Sequence, residues 1–159
     1  MEYEEFLQRK LKTKVESGFI VSESELNGNL FDFQKFIVLR ALKAGKYAIF
    51  ADCGLGKTLM QLEWANRVST YTRKPVLILA PLAVSGQTIK EGEKFGIAVQ
   101  KYDGSNFPIQ ITNYEQLENI DCSLFSGVVL DESSILKNFT GVYKNLIIEK
   151  FSDTNYKLA

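Results

Sequence analysis

The sequence predicts an α/β fold, a doubly wound and mainly parallel sheet with helices on both faces. Short β-rich apolar runs, YAIFA from Tyr47, VLILA from Val76 and VVL before Asp131, are apolar throughout rather than alternating, as strands buried on both faces are. Stretches of helical period separate these runs. That alternation implies right-handed crossovers between parallel strands, with ligands bound beyond the strand C-termini.

Taken in order, residues from Glu2 to about Lys12 place Tyr3, Phe6, Leu7 and Leu11 on one helical face, a docking helix whose basic residues are a solvated face. Gly18 to Leu30 is polar and reads as a connector offering caps and a turn. This divides the chain into an N-terminal helix and linker extension, 1–31, and a single domain, 32–159. Asp32 is placed to N-cap a helix with Phe33, Phe36, Ile37, Ala41 and Ala44 on its apolar face, and Gly45 to end it. Further on come a helix from about Ser85 to Phe95 and strands near Ala98–Tyr102 and Ile109–Thr112. A short helix starts at Tyr114, and VVLDE follows Gly127.

At 159 residues and 45% hydrophobic, the chain can bury one packed core. Lys plus Arg and Asp plus Glu are 19 each, so no bulk positive field argues for nucleic acid, and any such contact must come from local loops. Histidine is absent, which excludes His-based acid–base catalysis and His-ligated metal. Cys53 and Cys122 lack metal-site spacing and read as reduced thiols. The acidic N-terminus, with no apolar run of membrane-spanning length, predicts a cytoplasmic protein with no membrane partner.

The chemistry concentrates at Tyr47–Leu59, YAIFADCGLGKTL, where an apolar strand meets a glycine turn and a Lys-Thr pair opens a helix bearing Leu59, Leu62, Ala65 and Val68 on one face. This is the pattern of a phosphate-binding loop. Gly54, Leu55 and Gly56 would present backbone N–H groups to a phosphate chain at the helix N-terminus. Lys57 would reach the β and γ phosphates, and the Thr58 hydroxyl would ligate Mg²⁺. Ala51 stands where the full GxxxxGK[ST] pattern has glycine. Asp131 and Glu132 end a strand at the same rim: the first can hold Mg²⁺ and the second can orient and deprotonate the attacking water, the other reading being an acidic pair capping a helix.

With these residues assembled, the chain resembles the N-terminal RecA-like lobe of a superfamily two helicase of the Swi-Snf-like ATPase type, in a compact branch often encoded by phages. The matches run in family order from about Leu30: FDFQ, ADCGLGKT, LILAPLAVSGQTIKEGEKFG, ITNYE and VVLDESSILKN. The resemblance implies a P-loop NTPase fold, ATP and Mg²⁺ as ligands, DNA as partner and a second lobe beyond Ala159. It implies further that Gln34 reads the adenine edge and that Pro81, Leu82, Thr112 and Asn113 contact the nucleic-acid backbone. Tyr156–Ala159 resembles the start of a strand inserted at the sheet's centre, between the phosphate-loop strand and the VVLDE strand. Departures are Ser134 in place of the usual histidine and Thr88 where many relatives have tryptophan. A helicase or translocase ATPase is therefore expected, in a bacterial or phage-infected cell. The alternatives are a non-catalytic truncated nucleotide-binding or decoy module and a small P-loop kinase, the latter disfavoured by Asp131-Glu132 and the lack of an arginine-rich lid.

Overall fold

The computed structural model describes residues 16–49, 56–131 and 142–159. Strands β1 (Lys46–Tyr47), β2 (Val76–Leu79), β3 (Gln100–Lys101), β4 (Ile109–Thr112), β5 (Gly127–Leu130) and β6 (Tyr156–Leu158) form one sheet in the order β1-β6-β5-β2-β4-β3. Every neighbouring pair is parallel. The helices are α1 (Asp32–Ala44), α2 (Lys57–Thr72), α3 (Ser85–Phe95) and α4 (Val142–Lys150).

The strand period of two sorts β2 between two cores. Val76, Ile78 and Ala80 join Trp64, Leu62 and Val38 under α1 and α2, while Leu77 and Leu79 join Leu117, Phe125 and Phe151 on the opposite face. This is why VLILA carries no polar residue: both faces of the strand are covered. Gln110, fully buried in β4, is the exception, and its amide donates to the carbonyls of Ser105 and Phe107 at 2.8 and 3.0 Å.

Tyr156–Leu158 enters the sheet between β1 and β5, as the family pattern implies. The Lys157 and Ala159 N–H groups donate to Gly45 and Tyr47 carbonyls at 2.9 and 3.1 Å, and Ile49 N–H donates to the Ala159 carbonyl at 2.8 Å. The slot is interior but lies one strand from the edge rather than at the centre of the sheet, since β1 is the outer strand among the described residues.

Several local expectations shift. Phe31 is the cap residue and Asp32 the first residue of α1, where its charge still faces the positive helix end. Gly45 does end α1, at φ 79°. The 98–102 strand shortens to Gln100–Lys101, and the turn from Tyr114 is a 3-10 helix, Tyr114–Asn119, capped by Asn113, whose side chain accepts from Gln116 N–H at 3.0 Å. The connector reading of Gly18–Leu30 gives way at Phe19, Leu26 and Leu30, which are buried in the core. The N–H groups of Ser17, Gly18 and Phe19 donate to the Ala44, Lys43 and Leu42 carbonyls, satisfying the acceptors that the end of α1 leaves open. Among the described residues, no helix is long and apolar enough to cross a membrane.

Candidate nucleotide site and adjoining groove

Gly54, Leu55 and Glu132 lie outside the described residues. Gly56 has φ 72°, a left-handed conformation that glycine adopts without the strain a side chain would bring. A methyl group at that position would also collide with the Gln34 side-chain nitrogen. Gln34, on the first turn of α1, is buried, and its Oε1 accepts the Phe31 N–H at 2.8 Å. The glutamine expected to read a base edge and the last glycine of the expected phosphate loop are thus in contact. They share a cleft of about 480 Å³ with Asn29, Phe31, Phe33 and Lys94.

Lys57 and Thr58 form the first turn of α2, half-buried, where N–H groups have no partner within the helix and the macrodipole favours an anion. Across β6, Asp131 follows β5 and is 8% exposed. Its N–H donates to the Leu79 carbonyl at 2.8 Å, and its own carbonyl accepts the Tyr114 hydroxyl at 2.7 Å. Its carboxylate Oδ1 accepts the side-chain N–H of Gln61 at 3.2 Å, and Gln61, one turn beyond Thr58, is itself buried. Because β6 separates β1 from β5, the phosphate-loop strand and the aspartate strand stand roughly 10 Å apart, two strand spacings.

The residues present fit a hard divalent cation. The Thr58 hydroxyl and Asp131 carboxylate are oxygen donors of the kind Mg²⁺ takes alongside substrate phosphates. Among the described residues no three Cys, Asp or Glu side chains gather into a protein-only metal cage.

The second expected contact region lies on the same rim. Leu79 and Thr112 are paired in register and the Ala80 N–H donates to the Thr112 carbonyl at 3.0 Å, so the loops after β2 and β4 are adjacent. Leu82, Ser85, Lys101, Tyr102, Thr112 and Asn113 line a groove of about 230 Å³, with Pro81 leading into it. Gln61, Tyr114, Lys101 and Tyr102 were not singled out from the sequence. Gln61 carried one signal, a polar residue amid the apolar Leu59, Met60 and Leu62 of α2.

Fold and rim define the class: an α/β RecA-like P-loop fold, an all-parallel sheet flanked by helices with its candidate site beyond the strand C-termini. No protein-family model matches the chain, and no curated protein matches its sequence. Among solved structures it is similar to the UvsW helicase from Bacteriophage T4, at 18% identity and a TM-score of 0.69 over 94% of this chain and 57% of that one. It is also similar to a Sulfolobus solfataricus SWI2/SNF2 ATPase core in complex with dsDNA, at 20% identity and a TM-score of 0.71, over 89% of this chain and 33% of the other. A third similar structure is a hypothetical ATP-dependent RNA helicase from Sulfolobus tokodaii, at 17% identity and a TM-score of 0.56, over 97% of this chain and 48% of that one. The chain therefore spans little more than half of the UvsW chain and a third of the SWI2/SNF2 core.

Proposed function

We propose that this chain is the ATP-binding first lobe of a DNA-dependent ATPase, a helicase or translocase, which hydrolyses ATP when paired with a second RecA-like lobe. The observation that carries this reading is the seating of Gln34 against Gly56 at the start of α2, with the buried Asp131 carboxylate across β6. This supports a reading in which Gln34 pairs with adenine, the start of α2 takes the phosphates and Asp131 serves as a cation ligand.

In this reading Gly54, Leu55 and Gly56 offer N–H groups to the phosphates, and the Lys57 ammonium pairs with their outer oxygens. Thr58 and Asp131 hold the cation. Mg²⁺, when bound, neutralises charge on the phosphates. Glu132 accepts the proton of the attacking water. Pro81, Leu82, Thr112 and Asn113 meet the backbone of DNA at the groove. Arginines from a second lobe would complete charge stabilisation, so the lobe alone is expected to bind nucleotide and turn it over very slowly.

The test is thermal denaturation with and without Mg-ATP. At about 100 times its dissociation constant the nucleotide should add about 2.7 kcal/mol of stability. Lys57→Ala should abolish that gain while leaving the melting temperature of the free protein unchanged. A wild-type melting temperature unmoved by millimolar Mg-ATP would sink the reading.

A further inference from the structure

Asp131 is held more firmly than a simple strand-end carboxylate needs to be. Its backbone is pinned from two sides, by the Leu79 carbonyl and by the Tyr114 hydroxyl. Its side chain is pinned separately, by the Gln61 amide. A carboxylate only accepts hydrogen bonds, so the Gln61 nitrogen must be the atom that faces it. Both groups are buried, 3% and 8% exposed, where a bond of this kind to a charged acceptor is little contested by water. Gln61 is carried by the same helix as Lys57 and Thr58, one turn further along.

We infer that Gln61 is a positioning residue for the cation site: its bond to Oδ1 fixes the rotation of the Asp131 carboxylate, and so the direction in which the second oxygen is offered to Mg²⁺. The inference rests on the proposed nucleotide-binding reading. Physically it makes α2 a single rigid carrier of three functions, the lysine for the phosphates, the threonine for the cation and the glutamine that aims the aspartate from the neighbouring strand. A bond that served only to satisfy two buried polar groups would affect folding and leave the cation's effect on nucleotide affinity untouched.

The experiment measures ADP affinity by calorimetric titration into this chain, once with Mg²⁺ and once with a chelator, and takes the ratio of the two dissociation constants. For Gln61→Met and Gln61→Leu, which remove the donor and keep the bulk, the ratio should fall about 10-fold while metal-free affinity stays at the wild-type value. Asp131→Asn is the control for the underlying reading and should also lose the benefit of Mg²⁺. A wild-type ratio in the Gln61 variants beside a collapsed ratio in Asp131→Asn overturns the inference and leaves the reading intact. A wild-type ratio in Asp131→Asn, or no ADP binding by the wild type, overturns the reading and this inference with it. Should both Gln61 variants fail to fold, the side-chain amide resonance of Gln61 in the ADP-bound wild type decides the matter: it should move when Mg²⁺ is added, and an unmoved resonance overturns the inference.

Discussion

The nucleotide corner and the groove share one rim of one sheet, yet their side chains are held in different ways. Gln34, Gln61 and Asp131 are buried, each bonded to another element or to the backbone beside it. In the groove Leu82 is 70% exposed, Lys101 is exposed, and Thr112 and Asn113 are half-buried. Fixed donors suit a compact, highly charged ligand, because no reorganisation is needed when it arrives. An open surface of mixed character suits a long polymer read by its backbone, where many weak contacts add. With zero formal net charge, the chain would have to meet the polyanion proposed above through local loops rather than a field over the whole surface.

The comparison can be broken most forcefully at β6, the strand that separates the two halves of the nucleotide corner. Truncation after Asn155 would strip β1 and β5 of their shared neighbour. Each buried backbone group left unpaired costs roughly 1–3 kcal/mol, and several together approach the whole stability of a domain, about 5–15 kcal/mol. The truncated chain should show no cooperative thermal transition by circular dichroism. A transition close to the full-length one would mean that β6 is dispensable.

Paired glycine substitutions sharpen the contrast. Gly56→Ala forces a side chain into a left-handed conformation and into the Gln34 amide, so it should cost about 1–3 kcal/mol in denaturant unfolding and remove nucleotide binding. Gly86, in the groove and within α3, has no atom within 4 Å of an added methyl. Gly86→Ala should leave nucleotide affinity unchanged and stabilise the protein by about 0.5–1 kcal/mol. Equal losses in the two variants would erase the distinction between the sites.

A smaller effect concerns Glu63, buried in α2 with its Oε1 accepting the Asn27 N–H at 3.3 Å and lying 3.1 Å from Arg67 Nε. Burial pushes its carboxyl above the ordinary carboxylate range, against the opposing pull of Arg67. The folded state thus favours the protonated acid. Its contribution to stability is complete below the unfolded value and is lost as pH rises through the folded one. Glu63→Gln should flatten unfolding free energy against pH in that window, and an unchanged slope would contradict the burial argument.

The middle of the sheet was legible from sequence because β2, β4 and β5 are largely buried on both faces, and runs such as VLILA and VVL admit few other readings. The helix expected from about Ser85 to Phe95 is present, ended by Gly96 at φ 74°. Phe19, Leu26 and Leu30 were not legible, since the apolar residues of 18–30 follow no helix or strand period that would reveal a buried face. The Lys57-Thr58 pair was readable as a local motif, and Gln34 only through the family resemblance. Gln61 and Tyr114 were not, because their importance comes from contacts with Asp131 across 70 and 17 residues of sequence. Local pattern does not carry pairings of that range.

The central claim, that the nucleotide corner rather than the groove takes the small ligand, is tested most directly by amide hydrogen exchange with and without Mg-ADP. Added protection is expected at Met60 and Gln61 on the first turns of α2 and at Asp131, with Lys101, Thr112 and Asn113 unchanged. Protection confined to the groove residues, with none gained at the start of α2, would contradict the account.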